Sequence, residues 1–448
     1  MKHASEHLLS VYALDPALVP RRAAVEAHLG DCTACRARLE EIRAFDASLR
    51  EPEAWSAAAP EAGARGEELR AFVLRAEEED AAAVALLKRF EHPDAAANFV
   101  WENVPRRAEY QTGGVARRLC RMANGMCERR PLYALSLAEA ATRIAALLPD
   151  ATYPRHTVHE LRGEAWKEQA NAFRYLGRFP EALNALDRAE EEYRKLPLEG
   201  VGIVAVQYVR AYVLFEQDQF DVAEKLAGES AVGALHLGDS ERFMRARHLQ
   251  GEILYEQRQF AEAAEIFAII MAYGENHSNA LWIARESLTL GQCQIELRSL
   301  VEASKLLHRA LRLFTDLKFP SEVTRSNWGI ARLNFLEGRT TEATHRLRTA
   351  IQELTRLGML TDAALAAVDL SEMLHSLGRT REVPMLLTGV VRTFTAAGKL
   401  TGALTALAYL KKAATAREIA STAFPCVRRF IVRTERQQDL IFTPPPAP

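Results

Sequence analysis

The chain is predicted to be all-α: a small helical domain at the N-terminus, then an α-solenoid of stacked helical hairpins. Three observations carry this expectation. The composition favours Ala, Leu, Glu and Arg, holds only 23 Gly in 448 residues and shows few runs of alternating β-branched residues, a helical signature. Small residues recur with a step of 40 or 41 residues over the C-terminal half, as stacked repeats require. One early stretch, His28-Leu-Gly-Asp-Cys32-Thr-Ala-Cys35, spaces three soft donors in a way that packing does not demand. The expected segments are 1–45, a linker at 46–66, a helical region at 67–160, repeats at 161–402 and a cap with tail at 403–448.

Within residues 1–45, His28 and Cys32 stand four apart and leave one face of a helix, while Cys35 follows three later, where a tight turn brings its sulfur to the same point. Such a donor set suits Zn2+, which takes four N/S ligands in a tetrahedron. Upstream, His3 or His7 completes it on chemistry alone. So short a helical piece buries little core, and a structural metal is a common remedy. Leu8, Leu9, Val11, Tyr12, Leu14 and Leu18 form an apolar cluster to pack on Val25, Leu29, Leu39 and Ile42.

His3, Leu9, Tyr12, His28, Leu29, Cys32, Cys35 and Leu39 together resemble the zinc-binding domain of bacterial anti-sigma factors: an early His or Cys, a Leu/Tyr-rich helix, His-x3-Cys-x2-Cys and an amphipathic helix. The likeness covers about a tenth of the chain and departs at Leu14-Asp15-Pro16-Ala17-Leu18, where the family has an Asp-Gly-Glu-Leu turn. It implies His3 rather than His7 as fourth ligand, hence a zinc set of His3, His28, Cys32 and Cys35. A closed four-ligand site leaves no position for a substrate, so the implied metal role is structural. The resemblance also implies a sigma factor as partner, held by this domain and a helix within Leu39 to Leu49. In some members cysteine oxidation expels the zinc, since the thiolates are both ligands and oxidisable groups.

Residues 46–66 read as a linker, broken by Pro52, Pro60, Gly63 and Gly66. In the region 67–160, Leu69, Phe72, Val73, Ala76, Val84, Leu87 and Phe90 recur at helical spacings around an acidic run, and Leu137, Ala138, Ala141, Ile144 and Leu147 suit the second half of a degenerate first repeat. Arg106, Arg107, Arg117, Arg118, Arg121, Arg129 and Arg130 cluster without interleaved aromatics or a helix-turn-helix. They read as a solvated face or a match for an acidic protein surface rather than a nucleic-acid site. Cys120 and Cys127, seven apart, fit a packed helix face.

The repeats show two small positions per unit at a fixed offset of twelve. One series is Ala182, Ala223, Ala263, Ala303 and Ala343, with Val383 in sixth place; the other is Ala170, Ala211, Gly251, Gly291, Ala331 and Ser371. Trp166-x3-Ala170-x2-Phe173-x3-Gly177-x-Phe179-x2-Ala182-x3-Leu186-x2-Ala189 resembles the tetratricopeptide (TPR) repeat. Gly177, Gly338 and Gly378 mark the reversal between helices, and Phe179, Phe220, Phe260 and Leu300 the apolar position after it. The step of about 40 exceeds the usual TPR length of about 34, and the closing proline is displaced to Pro197. The resemblance implies a right-handed solenoid with an inner groove for a peptide or helix. Asn171, Arg174, Asn184, Arg210, Arg247 and Asn334 are candidate groove residues against a default of solvated surface; His236, His248, His277, His308, His345 and His375 never cluster at ligand spacing.

Leu404 to Ala420 reads as a final helix capping the stack, Val427 to Ile441 as a further short element, and the Pro-rich end cannot continue it. A net charge of −2 excludes a globally basic nucleic-acid binder, six cysteines are too few for a disulfide framework, no run spans a bilayer, and Met-Lys-His-Ala-Ser-Glu lacks a signal-peptide core. A cytoplasmic protein is expected. No phosphate loop, Gly-x-Ser-x-Gly or His-Glu-x-x-His occurs, so the reading is not an enzyme. The expected function is an anti-sigma-type transcription regulator, its zinc domain on a sigma factor or related regulator and its TPR groove on a second protein or peptide. The alternative is a TPR interaction scaffold in which zinc is only structural.

Overall fold

Reversal of the chain every twenty residues sets the architecture. The computed structural model describes residues 9, 12–13, 16, 19, 22–50, 62–91, 107–127, 130–149, 152–196, 200–396, 401–420, 422–436 and 440–445. Among them the chain is helix and turn without a strand, an all-α solenoid of helical hairpins. It divides into two compact units, residues 1–209 with 229–243, and residues 210–228 with 244–448.

The helices in chain order begin with α1 (Arg22–Asp31), α2 (Thr33–Arg50), α3 (Ala62–Leu87), α4 (Gly113–Met126), α5 (Pro131–Leu147), α6 (Arg155–Tyr175) and α7 (Phe179–Tyr193). A regular series follows: α8 (Gly200–Glu216), α9 (Phe220–His236), α10 (Ser240–Glu256), α11 (Phe260–Asn276), α12 (Ala280–Glu296), α13 (Leu300–Asp316), α14 (Pro320–Leu336), α15 (Thr340–Arg356) and α16 (Leu360–Ser376). Last come α17 (Val383–Ala396), α18 (Thr401–Ala416) and α19 (Ala423–Arg436).

Every helix from α8 to α16 has 17 residues. Each ends in the same left-handed C-cap. After α8 the Asp218 N–H donates to the Phe215 carbonyl at 3.0 Å and the Gln219 N–H to the Leu214 carbonyl at 2.9 Å, which satisfies carbonyls the helix leaves open. The residue in the left-handed region is Asp218, Gly238, Arg258, Ser278, Arg298, Lys318, Gly338, Gly358 or Gly378 in turn. A side chain there costs about 1–2 kcal/mol relative to glycine, so five of these turns keep a residue that backbone geometry disfavours. The repeat of 40 is thus two equal steps of 20, and both ends of every helix reverse alike.

In the first unit α3 to α6 enclose Leu87, Phe90, Tyr110, Leu119, Leu137 and Ile144. Glu79 on α3 caps α4: Gly114 N–H donates to its Oε2 at 3.1 Å, and its Oε1 accepts from the Tyr153 hydroxyl at 2.7 Å, a carboxylate at the positive end of a helix. Gly114 is required there, since a Cβ would lie 2.4 Å from the Glu79 carbonyl carbon. Three of the arginines read from sequence as a surface pair with acidic residues of this region. Arg117 and Arg121 pair with Asp80 at 2.9 and 2.8 Å, and Arg118 pairs with Glu91. Cys120 and Cys127 are buried, and burial pushes the Cys127 thiol up to about 12.

In the second unit the even-numbered helices are linked one repeat to the next by polar bonds. The Tyr212 hydroxyl donates to Glu252 at 3.1 Å, His248 meets Glu286 at 3.0 Å, Trp328 Nε1 donates to Asp369 at 2.8 Å, and Arg332 pairs with Glu296 at 2.6 Å. Small residues bring the helices close. A Cβ on Gly251 would meet the Phe267 ring at 2.7 Å, and Phe267 is fully buried. At the end of the array α19 packs on both α16 and α18, burying Phe424, Val427, Phe430 and Ile431, while Phe442 folds onto Phe430 and Tyr409.

Two expectations follow for stability. Ala in place of Gly gains about 1 kcal/mol of helix propensity, whereas overpacking a filled core costs about 1–3 kcal/mol. Gly389→Ala, with nothing within 4 Å of its Cβ among the described residues, should therefore raise the denaturation midpoint and Gly251→Ala lower it; equal shifts in urea titrations would refute the close-approach account. Burial opposes the charge on His248, but the carboxylates of Glu286 and Glu252 outweigh it and hold the imidazole well above its usual value. The folded chain then keeps a proton that the unfolded chain, titrating at about 6.5, has released. That stabilisation is complete below pH of about 6.5 and is lost as pH rises through the folded value. Replacing His248 by Gln should flatten the midpoint-versus-pH curve above neutrality; an unchanged slope would count against this group.

Candidate metal centre and interaction cavity

The N-terminal cluster is built by a helix break. Residue Cys32 lies between α1 and α2, its N–H donating to the His28 carbonyl at 2.8 Å while its own carbonyl accepts from Arg36 N–H at 3.1 Å. His28 sits in the last turn of α1 and Cys35 in the first turn of α2. Arg36 Nη1 donates to the Leu29 carbonyl at 2.7 Å and also reaches the Gly30 carbonyl, closing the C-terminal end of α1. Val25, Leu29, Cys35 and Leu39 are buried beneath, with Leu9 and Val19.

This break brings three donors together. The ligand atoms of His28, Cys32 and Cys35 all lie within 4.8 Å of one another, the one such His/Cys/Asp/Glu group found among the described residues. His28 Nε2 is 3.4 Å from Cys35 Sγ. Bonds of about 2.0 Å to nitrogen and about 2.3 Å to sulfur in a tetrahedron place those two atoms roughly 3.5 Å apart, so the donor set and its spacing fit zinc. His3 and His7 lie outside the described residues, as does the question of a fourth ligand.

The second candidate is a cavity of about 840 Å³ within the second unit. Its walls come from α10 (Tyr255, Glu256), α12 (Ile295, Glu296), α14 (Trp328, Arg332, Phe335, Leu336) and α16 (Leu365, Asp369, Glu372, Met373), with α19 closing it through Pro425, Arg428, Arg429, Val432 and Arg433. Asp218, Arg258 and Arg298, from three of the left-handed turns, complete the lining together with Phe220 and Phe260. Arg428 holds α19 in place, donating to Asp369 at 2.6 and 3.0 Å and to Glu372 at 2.6 Å. Arg433 lies 2.9 Å from Asp218. Burial opposes the charge on Arg332 but Asp369 and Glu296 strengthen it, so the inner polar groups form a charge-matched floor under an apolar and aromatic wall.

None of the six polar groove candidates read from sequence lines this cavity. Asn171 accepts from Arg174, Asn184 from Arg188, and Asn334, buried, from Arg339 at 2.8 Å. Arg247 contacts Gln250 at 2.8 Å, and burial lowers its affinity for a proton. The cavity residues were missed because they come from four helices, three turns and a C-terminal helix that meet only in the folded chain. The available signal was the charged residue at 218, 258 and 298, where the turn favours glycine.

No helix among the described residues is long and apolar enough to cross a membrane. No family model matches the chain, and no curated protein matches it. Among solved structures it is similar to aspartyl phosphate phosphatase F from Bacillus subtilis, with a TM-score of 0.51 and 12% identity over 88% of this chain and 96% of that one. It is also similar to a Rap protein complexed with competence and sporulation factor, with a TM-score of 0.51 and 14% identity over 66% of this chain and 79% of that one. At these identities the likeness is one of fold, and it places the chain with helical-repeat proteins.

Proposed function

We propose that this protein is a helical-repeat interaction scaffold whose second-unit cavity holds a segment of a partner protein, with an N-terminal helical pair held by a structural zinc. The observation that carries the reading is the cavity itself. A volume of about 840 Å³ falls in the range of about 300–1,000 Å³ typical of ligand sites, and its lining of aromatic and aliphatic side chains with a few convergent charges is what such sites use. The fold neighbour solved with competence and sporulation factor is consistent with a bound partner. The reading assigns no catalytic role. Partner capture tests it: full-length protein should retain a partner that Phe335→Glu with Leu365→Glu loses at unchanged helical content, and a partner indifferent to both changes would refute the cavity as the binding surface.

A second reading is favoured by the cluster of His28, Cys32 and Cys35. In it the N-terminal pair engages a sigma factor or related regulator, as in zinc-containing anti-sigma factors, and the repeats tune that contact. The two readings separate on deletion of residues 1–50, which abolishes capture of a sigma factor under the second and leaves the cavity partner bound under the first.

For the metal, His28, Cys32 and Cys35 supply three ligands and His3 the fourth. Four protein ligands close the coordination sphere, so the zinc would hold α1 on α2 and contribute folding free energy. Purified protein should contain about one zinc per chain, and Cys32→Ser with Cys35→Ser should contain none. His3→Ala should lower the zinc content and His7→Ala leave it. Full zinc in the double cysteine variant would sink the assignment.

A further inference from the structure

The charges around the second-unit cavity are unevenly shared. Its carboxylates are engaged within the fold: Asp369 by Trp328 and Arg428, Glu372 by Arg428, Glu296 by Arg332, and Asp218 by Arg433. Its arginines are in excess. Arg258, Arg298 and Arg429 line the same space, are exposed, and have no carboxylate partner among the described residues; Arg258 only lies over the Phe260 ring, 5.9 Å from its centre.

Two of these three also bear backbone strain. Arg258 and Arg298 adopt φ of 63° and 59°, while Gly338 and Gly378 fill the equivalent turns that do not line the cavity. Strain by itself does not select them, since Ser278 and Lys318 share it at the alternate turns. What sets the arginines apart is the conjunction of strain, position on the cavity and unmatched charge, and strain retained at a site points to use of the side chain.

We propose, building on the scaffold reading, that the cavity takes a short acidic peptide segment. One or two Asp or Glu side chains meet Arg258, Arg298 and Arg429, and neighbouring apolar side chains lie against Phe220, Phe335, Leu336 and Leu365. Arginine forks match carboxylates in geometry as well as charge. The same lining holds Asp218, Glu256, Glu296, Asp369 and Glu372, which a nucleic-acid backbone with a charge at every step would have to pass, whereas one or two carboxylates fit three arginines. The size suits a few residues in extended form.

The test uses full-length protein and two pools of N-acetylated, C-amidated hexapeptides. Four positions carry Leu, Ile, Val or Phe; the other two carry Asp or Glu in one pool and Asn or Gln in the other. Calorimetry should give the acidic pool an advantage of about tenfold, as three partly exposed charge contacts supply, and salt should erode it. Arg258→Glu with Arg298→Glu should abolish the advantage. Arg298→Gly should weaken binding of the acidic pool while raising the melting temperature, which separates lost recognition from lost folding. Equal binding of both pools would overturn the proposal and leave the scaffold reading standing. Displacement of the acidic pool by a single-stranded oligonucleotide would overturn it in favour of a nucleic-acid site. Failure of both pools to bind would remove the cavity reading along with it.

Discussion

The left-handed C-cap is the constraint on which the regular part of this structure depends. A helix of 17 residues is about 25 Å long, and a three-residue connection reverses it only if one residue adopts positive φ and its neighbours satisfy the last open carbonyls. Because Asp218, Arg258, Ser278, Arg298 and Lys318 accept that conformation as Gly238, Gly338, Gly358 and Gly378 do, helix length never drifts. Alternate helices therefore present equivalent positions. That equivalence is what lets Tyr212, His248, Trp328 and Arg332 each reach an adjacent even-numbered helix.

Polar bonding between repeats has a second effect. Buried charges need partners, and in the second unit the partners lie one repeat away; four of the residues that fasten neighbouring hairpins, Glu296, Trp328, Arg332 and Asp369, also form the floor of the cavity. Asp369 illustrates it, receiving Trp328 from one helix and Arg428 from another. In the first unit the same logic places Glu79 at the start of α4 and Asp80 between Arg117 and Arg121. Arginines that read as surface in the sequence meet the acidic residue Asp80 within the fold.

Much of the fold was legible because small residues recur wherever helices approach: Gly251 and Ala263 announce a contact whatever surrounds them. The step of 20 was hidden by its own turn chemistry, since Arg258 and Lys318 stand where a glycine would have marked the reversal. His28, Cys32 and Cys35 were legible as a group because ligand spacing on a helix and one turn is a local property. The cavity was not, since Arg298, Trp328, Leu365 and Arg429 meet only through the register of several hairpins and the return of α19 onto α16. The fourth metal ligand rests on the resemblance to anti-sigma zinc domains, His3 lying outside the described residues.

That return of α19 changes how the second unit should come apart. A stack in which each hairpin touches only its neighbours unzips from a free end, one repeat at a time. Here the terminal helix is anchored on α16 through Arg428 and reaches Asp218, at the first turn of the unit, through Arg433. The array is a buckled belt rather than a ribbon with a loose end. Opening its last repeat breaks a contact with its first, so the end does not fray ahead of the rest and several hairpins share one melting transition.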